Sequence, residues 1–159
     1  MFEYRITKYN PVIRREGGKY TEWTSFGDVG ATFDGIVLTQ TAYEKVESAY
    51  IAVATAFLQE AGAPPLFIRA LEYRKNGGSS SSYMEGDCLS LADIEAIMTK
   101  VLREELWCRL EADRGFIHFG WDYYMYVGVA SVCPKAEDLA RKVGLFVEEM
   151  VSPHHPDDE

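Results

Sequence analysis

The residues with chemical potential in this 159-residue chain are few. Cys108 and His118 offer a nucleophile and a base, His118 and Asp122 offer a base with an orienting carboxylate, and His154-His155 beside Asp157-Asp158-Glu159 offers metal ligands. The first pair fails on register. If Asp113-Arg114 is a two-residue loop, Arg109 lies opposite His118 and Cys108 points to the other sheet face. With a three-residue loop Cys108 becomes a diagonal neighbour roughly 7–8 Å away, beyond hydrogen-bond reach. The sequence therefore offers no catalytic dyad, and Cys108 reads as a small buried hydrophobe. His118 with Asp122 and a neighbouring tyrosine remains as the alternative, an enzyme or ligand-binding site, against the simpler reading of a satisfied half-buried histidine. The tail histidines sit in a segment expected to be disordered, so neither a structured metal site nor a cofactor is indicated.

Other motifs are weaker. Gly77-Gly78-Ser79-Ser80-Ser81-Ser82 lacks the Gly-Lys-Ser/Thr ending of a phosphate-binding loop. Its composition, within residues 75–88, predicts a flexible loop. The adjacent Glu104-Glu105 and Glu148-Glu149 pairs diverge by about 100° on a helix and read as solvated charge. Three widely spaced cysteines without a CxxC pair predict neither a disulfide framework nor a zinc ribbon, and point to a reducing, cytoplasmic setting.

These residues must be positioned by a small set of elements. Met1 to Tyr9 reads as a strand ending at Asn10-Pro11, followed by the polar loop from Arg14 to Lys19. Trp23 and Phe26 fall in a run rich in turn formers, expected to be irregular or a single turn that plugs one end of the core. Tyr43, Val46, Tyr50, Val53 and Phe57 recur at helical spacing after a Thr39 N-cap, and Gly62 with Pro64-Pro65 stops that helix. Leu66 to Tyr73 reads as a strand. Ser90 and Asp93 form a capping box before a stripe of Ile94, Ile97, Met98, Val101 and Leu102, a helix expected to run to about Leu106. Trp107 to Ala112 and the segment from Phe116 form successive hairpins. Pro134 opens a last helix with Ala136, Leu139, Ala140, Val143, Phe146, Val147 and Met150 on its stripe.

The expected architecture is a single α+β domain over residues 1–151, with an antiparallel or mixed β-sheet, about three helices and a disordered acidic tail at 152–159. Phe116 to Val127 packs six aromatics, one histidine and one aspartate into twelve positions. Alternation places Tyr124 and Tyr126 on one face and Tyr123 with Met125 on the other. One face serves the helices, and the other is either covered or free as a tyrosine-rich platform. Trp121, Tyr123, Tyr124 and Tyr126 are therefore the candidate binding residues.

The net charge of −9 falls entirely after residue 40, because residues 1–40 carry five basic and five acidic groups. Such a field opposes nucleic acid and anionic lipid and favours a basic protein partner. No run of apolar residues approaches the roughly 18 needed for a membrane span.

Ile6-Thr7-Lys8-Tyr9-Asn10-Pro11, Glu22-Trp23-Thr24-Ser25-Phe26, Leu106-Trp107-Cys108-Arg109-Leu110 and Phe116-Ile117-His118-Phe119-Gly120 resemble phrases in a group of small, uncharacterised bacterial cytoplasmic proteins. The resemblance covers most of the chain outside the serine-rich loop and the tail, and it implies no catalytic residues. By analogy of size and charge alone, the chain is similar to immunity proteins that neutralise cationic toxins. The leading expectation is a non-enzymatic, immunity-like binding protein; a small enzyme and a self-associating homodimer subunit are the alternatives.

Overall fold

The computed structural model describes residues 1–15, 21–74 and 82–156. It is a single α+β domain built on a seven-stranded sheet. In chain order the elements are β1 (Phe2–Thr7), α1 (Pro11–Arg15), β2 (Thr32–Phe33), β3 (Ile36–Val37), α2 (Gln40–Glu60), β4 (Leu66–Tyr73), β5 (Cys88–Leu89), α3 (Leu91–Leu102), β6 (Leu106–Ala112), β7 (Gly115–Phe119), β8 (Met125–Val129), α4 (Pro134–Lys142) and β9 (Phe146–Glu149). The sheet runs β5-β4-β6-β7-β8-β1-β9 with every pairing antiparallel, and β2-β3 is a separate small hairpin. Among the described residues no helix is long and apolar enough to cross a membrane.

The helices form where caps and stripes coincide. The Thr39 hydroxyl accepts from the Ala42 N–H at 3.1 Å, and the stripe Tyr43, Tyr50, Val53 and Phe57 is fully buried. Ser90 and Asp93 complete the expected capping box, worth about 1 kcal/mol. α4 begins at Pro134 without a cap from its own neighbour Cys133. The Glu60 carboxylate at the end of α2 takes the Lys135 and Ala136 N–H groups instead, at 3.2 and 2.9 Å. That contact joins two helices and satisfies two otherwise orphaned donors.

α2, α3 and α4 cover one sheet face, where Tyr4, Ile6, Ile68, Leu110, Ile117, Met125 and Val127 alternate inward. Trp23 and Phe26 close one end of this core, packing on Tyr43 in tilted and edge-on contacts at 5.3 and 4.9 Å between ring centres, around a 3-10 turn at Phe26–Asp28.

Two expectations are corrected. α3 stops at Leu102, before Leu106, because Glu104 turns left-handed (φ 60°) and the Glu105 N–H closes back on the Lys100 carbonyl. The last helix ends at Lys142 rather than running through Met150. Gly144 (φ 81°) terminates it, the Leu145 N–H returns to the Ala140 carbonyl, and Phe146–Glu149 becomes an edge strand on β1. Of the tail expected at 152–159, residues 157–159 lie outside the described residues; Ser152 is 1 % exposed, and 152–156 pack on the sheet face opposite the helices.

Of the expected flexible loop, residues 75–81 lie outside the described residues, while 82–88 are tied down. Glu85 accepts the Ala70 and Leu71 N–H groups at 3.1 and 2.9 Å, where β4 slips register against β6 and Ala70 adopts φ 53°. A carboxylate thereby serves two donors that the bulge removes from the ladder.

Candidate functional site

The hairpin joining β6 and β7 has a two-residue turn, since Ala112 pairs with Gly115 and Leu110 with Ile117. Continuing that ladder sets Arg109 against His118. Alternation then sends Arg109, Glu111, Phe116 and His118 to the face without helices and Cys108 to the helix side. Cys108 is fully buried in the apolar core, which pushes its thiol up to about 12. It is an inert filler, not a nucleophile.

His118 is the centre of a closed hydrogen-bond chain. Its Nε2 lies 2.8 Å from Glu111 Oε1 and its Nδ1 lies 2.8 Å from Ser152 Oγ. A carboxylate only accepts, so Nε2 carries the proton and Nδ1 accepts from the serine hydroxyl. Ser152 Oγ in turn accepts the His154 N–H at 3.2 Å. Arg109 flanks Glu111 at 3.3 Å and donates from Nη1 to the His154 carbonyl at 3.2 Å. From the His154 N–H through Ser152 Oγ and His118 to Glu111 the donors all run in one direction.

The order serine, histidine, glutamate invites comparison with a nucleophilic triad, and the geometry argues against it. Ser152 is buried, its oxygen is already an acceptor, and His118 has no exposed surface although it borders a groove of about 600 Å³. Burial, reinforced by His155, His154 and Arg109, lowers His118 to about 3. A base so weak holds no proton near neutrality. Asp122, its proposed orienter, lies elsewhere, on the wall of a second groove that His118 does not line. Among the described residues, no group of three or more His, Cys, Asp or Glu is placed to hold a metal.

The aromatic segment divides as alternation requires, yet neither tyrosine pair is left open. Tyr123 and Met125 face the helices and are buried, with Tyr123 packed edge-on to Tyr50 and Trp23 and donating its hydroxyl to Tyr43 at 2.9 Å. On the other face Tyr126 is covered by His154, and Tyr124 is half-buried beneath Arg5 and beside Tyr9. Tyr123 and Tyr126, both expected among the contact residues, are thus placed in the packed interior at 6 % and 7 % exposed. Trp121 is the exception, at 85 % exposed.

Trp121 is exposed because the chain around it is fixed by others. Between β7 and β8 the 3-10 turn Trp121–Tyr123 holds two successive non-glycine residues left-handed, Asp122 at φ 57° and Tyr123 at φ 66°. Each such residue costs on the order of 1–2 kcal/mol. The Tyr9 hydroxyl clamps the Asp122 carbonyl at 2.8 Å, Gly120 donates to Tyr124 at 2.9 Å, and Tyr123 is driven into the core. With Tyr123 inward, Trp121 projects outward over a groove of about 270 Å³ floored by Leu102, Leu106, Trp107 and Phe119 and rimmed by Arg74, Glu104, Asp122 and His154. Glu104, the third left-handed residue here, is held by Arg74 at 3.4 Å.

The sequence singled out Trp121 and His118, and for a two-residue hairpin it set Arg109 opposite His118. Arg109 and Glu111 were reachable from the two-residue hairpin, which places both on the face of His118. Ser152 carried no signal, because its contact spans 34 residues and depends on where the chain goes after β9. Comparisons with protein-family models, with curated proteins and with solved structures found no match.

Proposed function

We propose that this chain is a non-enzymatic binding protein that engages a basic protein partner through Trp121, in the manner of an immunity or inhibitor protein that neutralises a cationic toxin in a bacterial cytoplasm. The observation that carries the reading is an 85 % exposed tryptophan on a rigid, strained turn beside an apolar groove. Strain of this kind persists only where surrounding contacts over-determine it, and such sites concentrate at binding surfaces. Tryptophan is also the residue most enriched among interface anchors. A groove of about 270 Å³ is below the range of roughly 300–1,000 Å³ usual for small-molecule sites and suits a single apolar side chain.

The charge supports a basic partner. A net −9 raises the encounter rate with a cationic protein, and Asp122 on the groove rim supplies a local carboxylate, while Glu104 beside it is paired with Arg74. The enzymatic alternative loses ground because His118 is buried, depressed and separated from Asp122.

The test is capture from the native host on immobilised wild type and on Trp121→Ala. A basic protein retained by wild type, lost from the variant and eluted by moderate salt supports the reading. An identical set of proteins on both columns overturns it.

A further inference from the structure

The sheet face away from the helices is only partly covered. Residues 152–156 lie over His118 and Tyr126, and beside them a groove of about 600 Å³ opens between the connection from α2 to β4 and the turn from β6 to β7. That volume falls within the roughly 300–1,000 Å³ of small-molecule sites. Cross-strand register builds the floor. Phe67 of β4 lies opposite Glu111 of β6, Glu111 lies opposite Phe116 of β7, and Arg69 lies opposite Arg109 further along the same face. Met1, Pro64, Pro65 and Pro156 add apolar walls. One of these walls is fixed by close approach, since a Cβ at Gly115 on the turn would lie 3.2 Å from Pro64 Cγ.

The charge of the groove departs from that of the whole chain. Arg69, Arg114, Glu111 and Asp113 all line it. Glu111 is engaged by His118 Nε2 at 2.8 Å and by Arg109 at 3.3 Å, and His155 on the rim is engaged by Glu3 at 2.9 Å. Among the described residues, Arg69, Arg114 and Asp113 form no ion pair, and all three are exposed. Two uncommitted guanidinium groups therefore stand against one uncommitted carboxylate, on a protein whose net charge is −9.

We propose that this groove binds a small molecule with a planar apolar body and a single carboxylate, the carboxylate held by Arg69 and the body lying along the floor towards Phe116 and Pro64. Arg69 is the anchor because it is already oriented. Its guanidinium carbon stands 5.6 Å over the Phe67 ring centre, and its Nη1 lies 3.5 Å from the Ile68 carbonyl. Gly86 flanks the same atom, where a Cβ would come to 3.7 Å. Arg114 stands on the turn beyond Ala112, on the order of 10 Å further along the sheet, too far to share one carboxylate. A guanidinium offers two parallel N–H groups that match a carboxylate. A phosphate dianion matches that fork too, but it brings a second negative charge towards Glu111 and Asp113. Ring faces of phenylalanine and proline on a sheet surface suit a flat ligand. No described residue lines both this groove and the groove of Trp121, so the site stands apart from the protein-binding reading.

Naphthoate, naphthamide and naphthyl phosphate, titrated separately into the intact isotope-labelled chain and followed by amide NMR shifts, test the site. Naphthoate is expected to give saturable shifts at Phe67, Arg69 and Phe116. Loss of the charged pair is expected to weaken naphthamide at least about tenfold, and naphthyl phosphate is expected to bind no more tightly than naphthoate. Arg69→Gln is expected to weaken naphthoate at least about tenfold and Arg114→Gln less than about threefold. Both side chains are exposed, and unchanged shifts elsewhere in the spectrum verify that each variant is folded. The proposal is overturned by the absence of a saturable shift with naphthoate, by naphthamide binding equally well, by tighter binding of the phosphate, or by Arg114→Gln costing as much as Arg69→Gln.

Discussion

Gly128 sits in the middle of the sheet, opposite Phe116 on one side and Glu3 on the other, where a glycine ordinarily weakens a strand. Its role is to leave room. A methyl group at this position would lie 2.1 Å from Phe116 Cε1 and within 2.6 Å of two further ring atoms, so the phenyl ring rests on bare backbone. The ring has little freedom to move, because His118 stacks on it at 4.2 Å and His155 abuts it edge-on at 5.1 Å. Gly128→Ala should therefore destabilise by about 1–3 kcal/mol, the range for overpacking a well-filled interior. That corresponds to a fall in Tm of several degrees for a chain of this size. Phe116→Ala alone should cost about 3–5 kcal/mol through the cavity it leaves. In the double variant the added methyl occupies part of the space the ring vacated. Its cost should therefore not exceed that of Phe116→Ala, giving a coupling of at least about 1 kcal/mol. Urea unfolding of the four proteins measures this directly. Additive costs would refute the claim that the ring and the glycine share one space.

Arg103→Ala should cost about 3 kcal/mol, because Glu47 is buried in α2 and loses the paired bonds from Arg103 at 2.8 and 2.9 Å; Glu47→Gln in the same background should recover part of that loss in chemical denaturation. Thiol titration at pH 8 should modify Cys88 alone in the native protein, with Cys108 and Cys133 reacting only in denaturant. Burial raises Tyr43 and Tyr123 well above the ordinary 10, so the folded state keeps protons that the unfolded state sheds. Their contribution is present below pH 10 and lost above it, and tyrosinate absorbance from these two should appear together with loss of secondary structure rather than before it.

Much of the fold could be read from local signals. Thr39, Ser90 and Asp93 mark helix starts that are realised with their hydrogen bonds, and the two-residue hairpin at Asp113-Arg114 sets the register that removes Cys108 from His118. Errors arose where a pattern was shared by two structures. Val143, Phe146, Val147 and Met150 suit a helical stripe, but Gly144 adopts a left-handed turn, and β1 offers an edge on which Phe146–Glu149 pairs as a strand. The pairing is long-range, so nothing within the segment announces it. Tyr123 illustrates a second limit. Its face was legible, but its burial against Tyr43 and Tyr50 of α2 depends on helix placement. The exposure of Trp121 follows from the same event, since a turn that drives Tyr123 inward turns its neighbour outward. The contact between His118 and Ser152 lay furthest from reach, because a polar, proline-interrupted terminus gives no apolar reason to dock. It docks through hydrogen bonds to Glu3, Arg109 and His118.

The proposed role of Trp121 is to anchor a basic partner. Its most direct test is the dissociation constant of the captured partner for wild type and for Trp121→Ala, measured by calorimetry at two salt concentrations. Binding at least about 30-fold weaker in the variant is expected, the equivalent of a 2 kcal/mol anchor, together with a wild-type dissociation constant that rises with salt. A dissociation constant unchanged within twofold by the loss of Trp121 would contradict it.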